Sequence, residues 1–586
     1  MMTSETNADK GMNRAPRVAI LSTLFFLLIL VIRWEILTEP PYWDASMGLW
    51  SEADVIREKQ FDLYQQWLVE PGWKSGGDSA YRFSLLPVLI AGLMTVLPTP
   101  TATFVTYHLI TFLFAGMIAG LFGELVVRRF GWPTGILSTF ALLTSPVLCT
   151  QIDMLAMEIP IALISVLALR SVDERHFLRS AGILTFGLLF KVTVMVLLMA
   201  HLCLLSLLLV SRPSLEDRQS IGRGILTTIL GLSLAGLIII QDVGGMAGFM
   251  PAVLILMALW VPDLMMLASV GIVGSLVWFI WPRGRAGAPT TIFDRISAEP
   301  SWVFAVLATM GTLASYVVIT GVPRYLTFVT PLIFWSALLL FSVTPWLRML
   351  RLPVVLSLIS FHLLNWNGQL YPSGDFLAEI MHQRKTDACR REGSLLERTH
   401  AYLADHRDNQ KAIRAFEEVW DSREPVFVSL PFADFITRPA LGYVRRPIDG
   451  YLTGGFHRKR GGLKDVAFAL KDRPRSAWFL YSRNIFAQHL ARFYIPPPPG
   501  QPEGPIDEPV LFYRRNFSES DLALMTKNFY FEHTGPHPEH LKHYPAIFSD
   551  RDTILKDALQ RIGQQDLWKY YERKVNDRSI EPLNRK

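Results

Sequence analysis

The sequence predicts a polytopic α-helical membrane protein of about eleven spans, followed by a soluble α/β domain. Three observations carry that expectation. The composition changes sharply along the chain, apolar stretches of spanning length follow one another, and arginine collects in alternate loops.

The chain has 586 residues, 51% of them hydrophobic, 18% charged and 12% aromatic, with a mean hydropathy of +0.28. Soluble proteins carry about a quarter charged residues, so this average excludes an ordinary soluble protein, and disorder or a collagen-like fibre lies further off. The average hides a split. Residues 1–366 are about 12% charged and residues 367–586 about 29%, an ordinary soluble value. Two physical objects are therefore expected: a membrane part over 1–366, and a water-soluble part over 367–586 large enough for its own core. Cys149, Cys203 and Cys389 make no disulfide framework and say little about redox compartment. A net charge of +6 is small for this length and gives no reason to expect nucleic acid.

Apolar stretches of spanning length occur near 18–37, 103–127, 134–150, 155–170, 178–190, 193–210, 224–241, 262–281, 302–320, 325–343 and 352–366. The first lacks a small-residue cleavage site and runs directly into Trp34 and Glu35, so it reads as a retained anchor. Lys10, Arg14 and Arg17 precede it and place the N-terminus in the cytoplasm. Counting forward, cytoplasmic loops hold Arg128 and Arg129, then Arg170, Arg175 and Arg179, then Arg212, Arg218 and Arg223, then Arg283, Arg285 and Arg295, then Arg348 and Arg351. This agreement requires that the apolar segment 83–97 lies along the outer interface without crossing. The expected setting is a plasma (inner) membrane. Its non-cytoplasmic side collects loop 38–102, the turn at Gln151–Leu155, the region of Lys191, the turns 242–250 and 321–324, and all of 367–586.

Chemistry is sought on that side. The first outer loop reads Glu39-Pro40-Pro41-Tyr42-Trp43-Asp44-Ala45-Ser46-Met47-Gly48-Leu49-Trp50, followed by Glu52, Asp54 and Asp62. A carboxylate at the membrane surface among aromatics is partly desolvated, which raises its basicity and suits it to general-base work. The alternative is a solvated carboxylate beside an aromatic belt. A second acidic pair, Asp153 and Glu158, lies in Thr150-Gln151-Ile152-Asp153-Met154-Leu155-Ala156-Met157-Glu158. Asp153 fits the turn; Glu158 already lies in an apolar run and is costly there without a polar cavity or a partner. Its alternative role is snorkelling or a structural pair.

Cations on the same side are few. Lys191 interrupts an apolar stretch too long for one span, and Arg324 opens a span on the outside, followed by Tyr325. Both stand where the positive-inside bias disfavours them. They suggest an anion at the outer leaflet, with arginine supplying a forked contact and lysine a point charge. A headgroup-facing arginine is the simpler account of Arg324.

Taken together, the cytoplasmic N-terminus, the aromatic-flanked Asp44, the second acidic turn, the lysine after a glycine-containing short span and the Arg324-Tyr325 pair resemble the GT-C glycosyltransferases. The closest likeness within them is to the protein-mannosyltransferase and aminoarabinose-transferase branch, over about residues 15–345. Many members of that family carry Asp-Glu in the first loop; here Asp44 is followed by Ala45, and the next acid is Glu52. The resemblance implies a GT-C-like fold and an enzyme that takes a sugar from a polyprenyl-phosphate donor in the membrane lipid and passes it to a protein, lipid or glycan acceptor. It implies Asp44 as general base, alone or with Glu52, Asp153 and Glu158 around the sugar or acceptor, and Lys191, Arg324 and Tyr325 at the donor phosphate. Some relatives hold a divalent metal (Mg or Mn) with these acids, and the sequence neither requires nor excludes one. Two other classes explain the same charges: a transporter or flippase for a lipid-linked sugar, and a non-catalytic outer scaffold. The first is expected to show paired repeats, which are not evident here.

Within 367–586, stretches 394–419 and 552–574 read as helices, and 425–430, 477–481 and 509–513 as strands of a small sheet. Residues 496–500 form a stiff proline loop, and Arg458-Lys459-Arg460 a basic patch. His533, His537, His540 and His543 crowd one stretch without a cysteine partner or ligand spacing, so they read as a polar loop more readily than as a metal site.

Overall fold

The computed structural model describes residues 14–41, 45–62, 84–211, 215–240, 262–280, 291–318 and 326–363, with segments between 407 and 516. Those later segments are 407, 410–411, 413–420, 424–428, 432–448, 450–452, 464–465, 476–482 and 510–516. Two compact units result, one built on the helices up to Leu363 and one on a sheet beyond residue 407.

The helical unit contains α1 (Arg14–Ile32), a π-helical turn (Ala45–Trp50), α2 (Ser51–Glu58), α3 (Leu85–Val96), α4 (Pro100–Phe130), α5 (Trp132–Thr144), α6 (Pro146–Asp153) and α7 (Glu158–Asp173). It continues with α8 (Phe177–Gly187), α9 (Met195–Val210), α10 (Leu215–Ile240), α11 (Pro262–Ile280), α12 (Ile292–Ala298), α13 (Pro300–Val318), α14 (Thr330–Leu340) and α15 (Pro345–Leu363). Each of the apolar stretches read as a span overlaps one of these helices, except 134–150, which is divided between α5 and α6, and the segment expected along the interface is α3. Among the described residues, four helices are long and apolar enough to cross a bilayer: Arg14–Ile32, Pro100–Phe130, Val192–Val210 and Asp263–Ile280. A fifth crossing results if α5 and α6, bent by 62° across Ser145, form one broken span. Leu85–Val96, Pro300–Ser315 and Thr330–Leu340 are shorter apolar helices, and α10 opens on a charged turn with Glu216, Asp217 and Arg218.

Helix α1 shows why these segments pack as they do. It is apolar all round, with Leu21, Phe25 and Ile29 buried and Ile20, Leu24, Leu27 and Val31 exposed. A helix hydrophobic on every face belongs in lipid, with one stripe against protein and the other against acyl chains. Its buried stripe meets α4 at glycines. A Cβ on Gly116 would lie 2.8 Å from the Ser22 carbonyl oxygen, and one on Gly120 2.7 Å from that of Val18, with the Ser22 hydroxyl closer still. Only hydrogen at these positions lets the two backbones approach, as in membrane helix pairs generally.

Helix α4 is the axis of the unit. Thr99 caps its start by accepting from the Ala102 amide, Pro100 opens it, and Gly131 (φ 86°) ends it. Arg128 and Arg129 close it, where cations complement the helix dipole. At that end Arg128 pairs with Asp173 at 2.5 Å, Arg129 pairs with Glu299, and Ser301 donates to Asp173 at 2.8 Å. Arg170 joins Glu174 at 3.1 Å and stands 3.8 Å from buried Glu124. Three of the arginines that the charge pattern assigns to the cytoplasm, Arg128, Arg129 and Arg170, thus pair with acids in this part of the unit. Elsewhere in the bundle, buried His201 meets the hydroxyls of Ser180 (2.6 Å) and Thr228 (3.0 Å), joining α8, α9 and α10 through satisfied polar groups.

The second unit holds a five-stranded sheet of β1 (Val426–Val428), β2 (Gly450–Leu452), β3 (Lys464–Asp465), β4 (Ser476–Ser482) and β5 (Val510–Asn516), in the order β3-β2-β1-β4-β5. The three apolar runs read as strands are β1, β4 and β5. Val426 lies opposite Gly450 and Trp478 in parallel pairs, whereas β5 runs antiparallel to β4. A short helix, α16 (Phe432–Thr437), and the Glu417 carboxylate, which accepts from the Arg445 and Arg446 amides at 2.8 and 2.9 Å, complete the described core. The stretch 552–574, the proline loop, the basic patch and the histidine group lie outside the described residues.

The glycine packing predicts a graded outcome. Gly120→Leu should destabilise the helical unit by about 2–3 kcal/mol or more through overpacking, whereas Gly92→Leu, where nothing lies within 4 Å, should change little. Thermal unfolding of the detergent-solubilised protein would compare them.

Candidate active site

Three parts of the sequence far apart in the chain meet near the start of α4: the loop after α1, the acidic turn between α6 and α7, and the turn carrying Lys191. Trp50, fully buried, donates its indole N–H to the Leu155 carbonyl at 3.2 Å. Tyr107 of α4 donates its hydroxyl to the next carbonyl, Ala156, at 3.3 Å. The two rings pack edge to face at 5.4 Å. Leu155 has φ 53°, a left-handed conformation unfavourable for a branched side chain. Burial of its side chain and the indole donor to its carbonyl offset that cost. His108, one residue after Tyr107, has Nε2 3.3 Å from the Glu39 carbonyl, so α4 also holds the segment that leads to Asp44.

Each acid of the turn is matched by a cation. Glu158, the first residue of α7, accepts from Lys191 Nζ at 2.9 Å, and both side chains are buried. Asp153, the last residue of α6, lies 3.2 Å from Arg33 Nε, again with both partners buried. Asp153 therefore ends a helix, and the turn proper runs over Met154–Met157, two to three residues later than the expected turn at Gln151–Leu155. A buried carboxylate with a cation at contact distance is tolerated where an isolated one is not.

Lys191 is placed by local geometry. Helix α8 ends at Gly187, Lys191 is extended (φ −161°, ψ 135°), and a 3-10 turn, Val192–Val194, leads into α9. The turn before it is tied to the start of α3: Ser84 donates to the Phe190 carbonyl at 2.8 Å, and the Leu85 amide to the Leu189 carbonyl at 2.5 Å. Ser84 is also the N-cap of α3. Helix α3 and the lysine thus share one junction.

At the other end of α6, His362 Nε2 is 2.8 Å from Asp263 Oδ2, and Nδ1 is 3.3 Å from the Thr144 hydroxyl. These contacts join α5, α11 and α15 at the end of α5, where α6 bends away.

Of the residues singled out in the sequence, Glu158 and Lys191 come together, Asp153 stands at the same turn, and Glu52 is buried in α2. Asp44, Arg324 and Tyr325 lie outside the described residues. Among the described residues no three metal-binding side chains converge. Asp153 and Glu158 each stand beside a cation. Sequence reasoning missed Arg33, Trp50 and Tyr107. Arg33 had a signal: an arginine inside the apolar stretch 18–37, at its outer end, breaks the same charge rule that marked Lys191 and Arg324.

Along α4, Tyr107 and Arg128 are separated by roughly 30 Å at 1.5 Å per residue, close to the hydrocarbon thickness of a bilayer. The acidic turn and the arginine network therefore mark the two ends of a membrane-spanning helix.

The Glu158–Lys191 pair has a measurable signature. Lys191→Met should destabilise the protein by about 3–5 kcal/mol, because it strands a buried carboxylate. Adding Glu158→Gln should recover most of that loss in a thermal unfolding series.

No family model matches the sequence, and no curated protein matches it. The fold is similar to two solved structures of ArnT from Cupriavidus metallidurans. One, bound to undecaprenyl phosphate, shares 11% identity over 80% of this chain and 94% of that chain, with a TM-score of 0.44. The other, in the apo state, shares 13% identity over 81% and 94%, with a TM-score of 0.46.

Proposed function

We propose that this protein is a membrane glycosyltransferase that moves a sugar from a polyprenyl-phosphate donor to an acceptor on the non-cytoplasmic side. One observation carries the reading: at the end of α4 remote from the arginine network, two buried carboxylates and two buried cations from separate elements flank a single turn. Charges are costly to bury, and a cluster of them at the membrane surface is a functional-site candidate.

The chemistry needs both signs. An acceptor hydroxyl attacks the anomeric carbon, a new carbon–oxygen bond forms, and the bond to the donor phosphate breaks with its electron pair passing to the phosphate oxygen. Positive charge develops on the sugar and negative charge on the leaving phosphate, so carboxylates beside one and cations beside the other lower the barrier. In this reading Asp44 receives the acceptor proton, with Glu52 as its neighbour in the first loop. Asp153 and Glu158 shape the sugar or acceptor subsite, and Lys191, Arg324 and Tyr325 hold the phosphate. Lys191 then has to share its ammonium between Glu158 and the phosphate, or exchange one for the other as donor binds.

The test is direct. Purified protein in lipid vesicles, given a polyprenyl-phosphate sugar and candidate acceptors, should release polyprenyl phosphate, and Asp44→Asn should slow release about 10²–10⁴-fold, the range of general-base catalysis. Full activity in that variant would remove the assignment, and translocation of donor without release would indicate a flippase. Reporter fusions at positions 100 and 372 should both read as non-cytoplasmic; a cytoplasmic signal at 372 would invert the topology on which the site rests.

A further inference from the structure

We propose that Arg33 is a positioning residue that sets the direction of α6 and, through Asp153, the placement of the acidic turn; the catalytic part of this inference rests on the transfer reaction proposed above. Arg33 follows directly on α1, and its amide donates to the Ile29 carbonyl at 2.8 Å, so its backbone belongs to the end of the first span. Its side chain reaches 116 positions along the chain to α6, where Nη2 donates to the Cys149 sulfur at 3.1 Å. Its Nε stands 3.2 Å from Asp153 Oδ1.

Cys149 and Asp153 are four residues apart and occupy one face of the helix. The guanidinium therefore grips α6 across a full turn, which fixes how the helix is rotated about its own axis as well as where it lies. That matters because α6 is only eight residues long and leaves α5 at 62° across Ser145. A helix this short has little packing surface of its own to define its rotation. Turning it by one residue would carry Asp153 about 100° around the axis, away from the face it shares with Cys149, and would shift the start of Met154–Met157. The Leu155 and Ala156 carbonyls would then leave Trp50 and Tyr107, and Glu158 would leave Lys191.

The residue type fits the task. Arginine presents donors on separate nitrogens in a rigid plane, whereas a lysine ammonium is a single point on a flexible stem and cannot engage two heavy atoms one helical turn apart in fixed geometry. Arg33 is also buried. Its contribution is thus transmitted through Asp153 and the helix, and it reaches the reaction as geometry. A misplacement near 1 Å at a reacting centre costs about 10²-fold in rate.

The experiment is a double-mutant cycle on the full-length protein with Arg33→Gln, Asp153→Asn and the pair, plus Arg33→Lys, read by kcat and KM for donor consumption. Each single change should lower kcat about 10²-fold, and the double should lose no more than the worse single, because both remove one interaction. Arg33→Lys, which keeps the charge and loses the fork, should recover only part of the rate. Multiplying losses, or full recovery with lysine, would overturn the proposal. A second readout is independent of activity. In a Cys203→Ser, Cys389→Ser background, maleimide should label Cys149 slowly, and at least 10-fold faster after Arg33→Gln, as expected if the grip on α6 is released. Unchanged labelling would show that Arg33 does not hold this helix. Altered labelling in a protein that transfers no sugar would instead leave the grip standing and remove the transferase reading.

Discussion

A carboxylate taken out of water must meet a cation, and around the turn between α6 and α7 this requirement organises the helical unit. Glu158 can begin α7 inside an apolar environment only because Lys191 is 2.9 Å away, and Asp153 can end α6 only because Arg33 is at hand. The four groups come from the end of α1, the end of α6, the start of α7 and the turn after α8. Satisfying two charges therefore commits four parts of the chain to one place. Hydrophobic burial cannot impose this, since it is non-directional and many arrangements of apolar helices bury similar area.

The rest of the architecture supplies what the pairs need. Glycines on α4 let α1 lie close enough for Arg33 to reach its partner. Trp50 and Tyr107 hold the backbone of the turn, which includes a residue in an unfavourable conformation. Ser84 joins α3 to the Lys191 turn. The arginine network at the far end of α4 uses the same principle with more exposed partners, where water shares in solvating the charge and each pair contributes less.

Most of the helices were legible because a bilayer leaves the backbone few choices: an apolar stretch of spanning length must satisfy its own hydrogen bonds as a helix. Glu158 and Lys191 were legible for a related reason, since each interrupts an apolar run at a cost that needs explaining. Arg33 carried the same mark, at the end of the first apolar stretch. Trp50 and Tyr107 had no such mark. An aromatic residue near a membrane surface is ordinary, and only the carbonyls that meet them give these two a role.

By itself, then, the amino-acid order determined which segments are helical, where the composition changes, and which charged residues require partners. It could not determine which cation meets which acid. Lys191 might have served Asp153 as well as Glu158 by any rule of spacing, because partners 33 and 120 positions away along the chain are chosen by how helices pack and bend. The 62° turn across Ser145 and the close approach of α1 to α4 made that choice. They are properties of the folded bundle, in which short-range contact between backbones decides where long side chains can reach.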